Sequence, residues 1–136
     1  MTAKKISTKD WRNLPTDQWN VSSFHAFLID ETKRRFDAEY VPGGGGPKSK
    51  RWTAEKGVIK RELDRRGART VRKFIEICWR EYYTSNPDKY PYPTFFFMCG
   101  FMDRNWTEAE REVKKVEERA ELAERSDSTK IDEEWF

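Results

Sequence analysis

Apolar residues return at helical spacing along most of the chain. From Thr70 onward, Val71, Phe74, Ile75, Cys78, Trp79, Tyr82 and Tyr83 fall at i, i+3, i+4, i+7, i+8, i+11 and i+12, which predicts a helix with a broad apolar face. Just upstream, Ala54, Val58, Ile59 and Leu63 mark another helix, with Thr53 as its cap. Gly67 stands where a left-handed C-terminal residue is expected after Arg65 and Arg66. So short a glycine turn joins the two as an antiparallel or crossed pair, the arrangement from which a helix-turn-helix is also built. An earlier helix is predicted from about Ser23 to Glu39, with Ser22 or Ser23 as N-cap and Phe24, Phe27, Leu28, Phe36 and Tyr40 along its stripe.

Between these segments the pattern breaks. Pro42, Gly43–Gly46 and Pro47 predict a flexible loop over 42–47, without the glycine spacing of a phosphate cradle. Asn86-Pro87, Tyr90-Pro91 and Tyr92-Pro93 force an extended connector, because a residue before proline is pushed out of the helical region. The apolar run Phe95 to Met102 reads as a short buried helix, with a core strand as the alternative. Thr107 and Glu110 form a capping box for a helix running to about Arg125, whose Ala109, Val113, Val116, Ala120 and Ala123 keep heptad spacing. That helix lies along the body or forms a dimer seam. Residues 1–19 read as an arm that Trp11, Leu14 and Trp19 could pin down, and 126–136, without periodicity, as a mobile tail. The expected fold is all-α: a compact bundle of four or five helices over 20–105, an acidic helix over 106–125, and the tail.

Composition sharpens this. Only 36% of the 136 residues are hydrophobic and 38% are charged, yet 15% are aromatic, so the core must be small and aromatic-rich. The chain is long enough for one domain. No apolar run reaches the ~20 residues of a membrane span, no signal-peptide core opens the chain, and a cytoplasmic protein is expected. Cys78 and Cys99 fit no paired-ligand motif and are expected as reduced, buried thiols; His25, the single histidine, is expected on a helix surface. No cofactor or metal and no catalytic constellation is expected, so the chain reads as a non-enzyme.

Charge is unevenly placed. Residues 48–80 hold 12 Lys/Arg against 4 Asp/Glu, and 107–136 hold 6 against 11, while the whole chain is only +3. The basic segment supplies the candidate nucleic-acid-binding residues Lys48, Lys50, Arg51, Trp52, Lys56, Lys60, Arg61, Arg65, Arg66, Arg69, Arg72 and Lys73, able to neutralise phosphates without reading sequence. Trp52 either stacks on an unpaired base or anchors its loop to the core.

The chain ends Ile131, Asp132, Glu133, Glu134, Trp135, Phe136, an acidic segment closed by two aromatics and suited to a basic-rimmed hydrophobic pocket. This ending resembles the acidic, phenylalanine-terminated tails of bacterial and phage single-stranded-DNA-binding proteins, and the acidic-hydrophobic peptides by which phage replication and late-transcription proteins dock on a sliding clamp. The body over 19–104, with its glycine-rich insertion, Val58-Ile59-Lys60-Arg61 helix and Val71-to-Tyr83 helix, is similar to small replication-associated DNA-binding modules of phages. The resemblance implies a non-enzymatic accessory protein that binds DNA and recruits a replication or transcription protein such as a clamp or polymerase. Without DNA contact, the alternative is a protein-only regulator that uses the aromatic cluster or the acidic helix to bind a polymerase, clamp or nuclease.

Overall fold

The computed structural model describes residues 6–43 and 46–134, with side chains to Arg125, and these residues form an all-α fold without a strand. A 3-10 turn at Thr16–Gln18 precedes α1 (Val21–Phe36), α2 (Lys48–Arg66), α3 (Ala68–Glu81), α4 (Phe95–Phe101) and α5 (Asn105–Glu134). The apolar run after the prolines is therefore a helix.

Most of the elements gather on α3, and α1 packs on α2. Helix α3 touches α5, the 3-10 turn, α2 and α4, and buries Val71, Phe74, Ile75, Ile77, Cys78 and Trp79, all but Ile77 as the sequence period predicts. The stripe stops short of its expected length, because α3 ends at Glu81. Tyr82 turns extended, and Tyr83 is 85% exposed. Aromatic contacts carry the packing: Phe74 stacks on Trp106 at 3.6 Å, and Phe27 leans on Trp79 at 5.1 Å and on Trp11 at 4.9 Å. The N-terminal arm is pinned by its tryptophans. Trp11 Nε1 donates to Asp30 at 2.8 Å and Trp19 Nε1 to the Leu14 carbonyl at 2.9 Å.

Several helix ends differ from the sequence pattern, each for a local reason. α1 starts at Val21 because Asn20 is the cap: its side chain accepts from Ser23 N–H while Ser23 Oγ accepts from Asn20 N–H. It stops at Phe36, where Asp37 takes the left-handed conformation, so Tyr40 is core without being helical. α2 begins at Lys48, directly after Pro47; Thr53 is already inside it and bonds back to the Ser49 carbonyl. Its inward face is Glu55, Ile59 and Glu62, with Ala54 exposed. In α4, capped by Thr94, Phe95 and Met98 are buried, whereas Phe97 and Phe101 face outward, so the run is only half interior. α5 begins at Asn105, two residues before the expected cap Thr107, and Glu110 pairs with Arg66 instead of closing a box. It continues past Arg125 through 126–134, residues expected as a loose tail.

Candidate nucleic-acid interface

The basic segment divides into two surfaces of different character. The first is the outer side of α2. Since Glu55, Ile59 and Glu62 point inward, the solvent side of the helix presents Lys50, Lys56, Lys60, Arg61 and Arg65, with Lys48 at its first turn, all exposed, and Asp64 is the single exposed acid on the helix. Lys60 bonds Asp64 at 2.8 Å and Arg61 lies 3.6 Å from Glu62; among the described residues Lys48, Lys50, Lys56 and Arg65 form no ion pair. The small residues Thr53, Ala54 and Gly57 sit among these cations, so a nucleic-acid backbone can approach the helix closely. The segment 48–52, upstream of the cap expected at Thr53, forms the first turns of this helix.

Arg51 and Trp52 do not belong to that face. Arg51 is half-buried and donates to the Pro42 carbonyl at 3.3 Å. Trp52 is half-buried, meets the His25 ring edge-on at 4.9 Å and lies 6.1 Å from Tyr40, contacts that anchor it to the core.

The second surface is α3 with the end of α2, and here the cations are engaged. Arg66 bonds Glu62 at 2.7 Å and Glu110 at 2.6 Å while lying over the Trp106 ring at 4.1 Å. Arg69 bonds Asp17 at 2.7 Å. Arg72 donates to Thr16 at 2.9 Å and covers Trp19 at 4.6 Å. Lys73 and Arg80 reach Glu112 and Glu108 on α5 at 3.4 and 3.1 Å. The twelve candidate residues are thus not one patch. Arg66, Arg69, Arg72 and Lys73 fasten the 3-10 turn, α2, α3 and α5 to one another, whereas the exposed α2 cations have no partner on another element.

Beneath α2 lies a buried polar cluster. Tyr40 OH donates to the Glu55 carboxylate at 2.8 Å and accepts from Phe95 N–H at 3.0 Å, and His25 Nε2 lies 3.3 Å from Glu55. His25 is thus buried and not on a helix surface. Burial, then the Glu55 charge, holds the Tyr40 hydroxyl well above its ordinary range. The cluster ties α1, α2 and α4 together. Burial likewise pushes the Cys78 and Cys99 thiols up to about 12, so both are protonated and unreactive near neutral pH; Cys99 is half-buried rather than fully enclosed. Among the described residues, no three His, Cys, Asp or Glu side chains gather to hold a metal, and no helix is long and apolar enough to cross a membrane.

Of the candidate partner-binding residues, Ile131, Asp132, Glu133 and Glu134 fall on the last turns of α5, and Trp135 and Phe136 lie outside the described residues. A separate aromatic surface emerges only from the fold. Phe97 and Phe101 lie 5.1 Å apart, Tyr82 packs on Phe97 at 5.8 Å, and Phe101 is 76% exposed. No protein-family model matches the chain, and no curated protein and no solved structure matches it.

Proposed function

We propose that this chain is a nucleic-acid-binding accessory protein without catalysis of its own, gripping the phosphate backbone with the outer side of α2 and recruiting a protein partner through the end of α5. One observation carries the first half: six exposed cations share one helix with a single exposed acid, and four of them, Lys48, Lys50, Lys56 and Arg65, form no ion pair among the described residues, while Arg66, Arg69 and Lys73 are paired with acids of other elements. Cations left unpaired are those that release counterions when they meet phosphates. The resemblance to small phage DNA-binding modules, and of Ile131–Phe136 to the tails of single-stranded-DNA-binding proteins and to clamp-docking peptides, supports a role in phage DNA replication or transcription, in the host cytoplasm.

Binding is expected to be tolerant of sequence, with log affinity falling linearly against log salt at a slope of about −4 to −5 for some five phosphate contacts. Charge reversal of Lys50, Lys56, Arg61 and Arg65 should abolish binding and leave the thermal midpoint nearly unchanged. A wild-type protein that binds neither single- nor double-stranded oligonucleotide at low salt would overturn this reading. The alternative is then a protein-only regulator, which the exposed Tyr83, Phe97 and Phe101 favour, since outward aromatics of this size mark protein contacts.

A further inference from the structure

The two charge excesses of the sequence lie against each other in the fold. α5 runs antiparallel to α3, so Arg80 meets Glu108 at 3.1 Å, Lys73 meets Glu112 at 3.4 Å and Arg69 meets Glu117 at 3.8 Å. The two ends of this contact are held by different forces. At its start, Trp106 stacks on Phe74 and Ala109 is fully buried. Further along, Val113 is half-buried, Val116 is 58% exposed, and every side chain from Glu117 to Arg125 is exposed. A surface groove of about 220 Å³ lies along this part of the contact, lined by Thr16, Arg69, Arg72, Lys73, Val113 and Val116. From Glu112 outward, then, α5 is held to α3 mainly by exposed ion pairs, which contribute little and are weakened by salt.

We infer that Arg69 and Lys73 on α3 form a second phosphate-binding surface that α5 covers, so that Glu112 and Glu117 compete with a nucleic-acid backbone for the same two side chains. The inference rests on the nucleic-acid reading and extends it to regulation. Helical rise sets Arg69 and Lys73 ~6 Å apart on one face, and both remain partly open to solvent, with 50% and 38% of their side chains exposed. Phosphates can therefore approach before the carboxylates leave. Arg69 also keeps Asp17 as a partner, so Lys73 is the residue most fully released.

The test is anisotropy titration of labelled single-stranded and duplex oligonucleotides across a salt series. The double variant Glu112→Gln with Glu117→Gln should bind about tenfold more tightly at 0.15 M salt, with a salt slope steeper by one to two, about 0.9 for each new phosphate contact. Two further variants separate release of specific cations from a general loss of negative charge. Glu121→Gln with Glu124→Gln removes the same charge farther along α5, and should change affinity by less than about twofold at 0.15 M salt, where the Debye length is about 8 Å. In a background of Arg69→Ala and Lys73→Ala, the gain from the first pair should vanish. A gain equal to that of the distal pair, or one surviving in that background, overturns the inference while leaving the α2 reading intact. If the protein carrying Glu112→Gln and Glu117→Gln binds where wild type does not, the α3 surface stands and the α2 reading falls; if neither binds, both fall.

Discussion

Gly67 has φ 89° and ψ 155°, a region open essentially to glycine alone, and it serves both as C-cap of α2 and N-cap of α3. Gly67→Ala meets no atom within 4 Å, so its whole effect is backbone strain, about 1–3 kcal/mol lost in chemical denaturation. That position was legible because Arg65-Arg66-Gly67 has the composition of a helix end. The buried polar residues were not. Glu55 and Glu62 sit at helical spacing in a very polar segment, where nothing distinguishes an inward carboxylate from an outward one, and their partners come from other elements or from basic neighbours common in this chain. Tyr40→Phe should cost about 1–3 kcal/mol, since Glu55 loses a donor and Phe95 N–H its acceptor. Glu31 is a further test, by pH. The Arg34 hydrogen bond holds its carboxyl below the usual value, so it stabilises the fold above the unfolded-state pKa and loses that contribution as pH falls through the native one. Glu31→Gln should lower the thermal midpoint at pH 7, and the gap should close toward pH 3; a gap that stays constant would assign the effect to packing.

At the scale of elements, the helix with the cleanest period was the most fully read. Along α3, Phe74 is fully buried between Phe95 and Trp106, and its neighbour Lys73 reaches outward to Glu112. Phe74→Ala should therefore cost about 3–5 kcal/mol, and Lys73→Ala almost nothing, as read by thermal or denaturant melting. Equal midpoints would mean a different helix orientation. Boundaries were harder than existence. Asn20 and Thr53 are both good caps by residue type, and only the hydrogen bonds show that Asn20 caps while Thr53 bonds back within its own helix. The candidate interface followed the same logic. A count of Lys and Arg finds the segment, but which cations remain open depends on where acids from elsewhere in the chain arrive, and the partners of Arg69 and Arg80 are 52 and 28 residues distant.

On the scale of the whole molecule, α5 is the element whose full length is not explained by the body it packs on. Its first turns enter the core through Asn105, Trp106 and Ala109, and its Glu108, Glu110 and Glu112 meet cations of α2 and α3. From Glu117 to Arg125 every side chain is exposed. A lone helix of this kind gains only a few i,i+4 pairs and is marginal in water, so its length is better accounted for by what it can meet than by what it stabilises. Deleting residues 118–136 removes seven acidic and three basic residues together with the Ile131–Phe136 ending. The thermal midpoint should stay within about 2 °C of wild type, because the side chains from Glu118 to Arg125 are exposed and their loss changes stability little. Far-UV helical signal should fall at the same time. The salt slope of nucleic-acid binding should be nearly unchanged, since Glu112 and Glu117 remain on Lys73 and Arg69, whereas capture of the protein partner should be lost. A midpoint lower by several degrees would instead place the far half of α5 against the body or against a second copy, and sedimentation of the intact chain across a concentration series would separate those two arrangements.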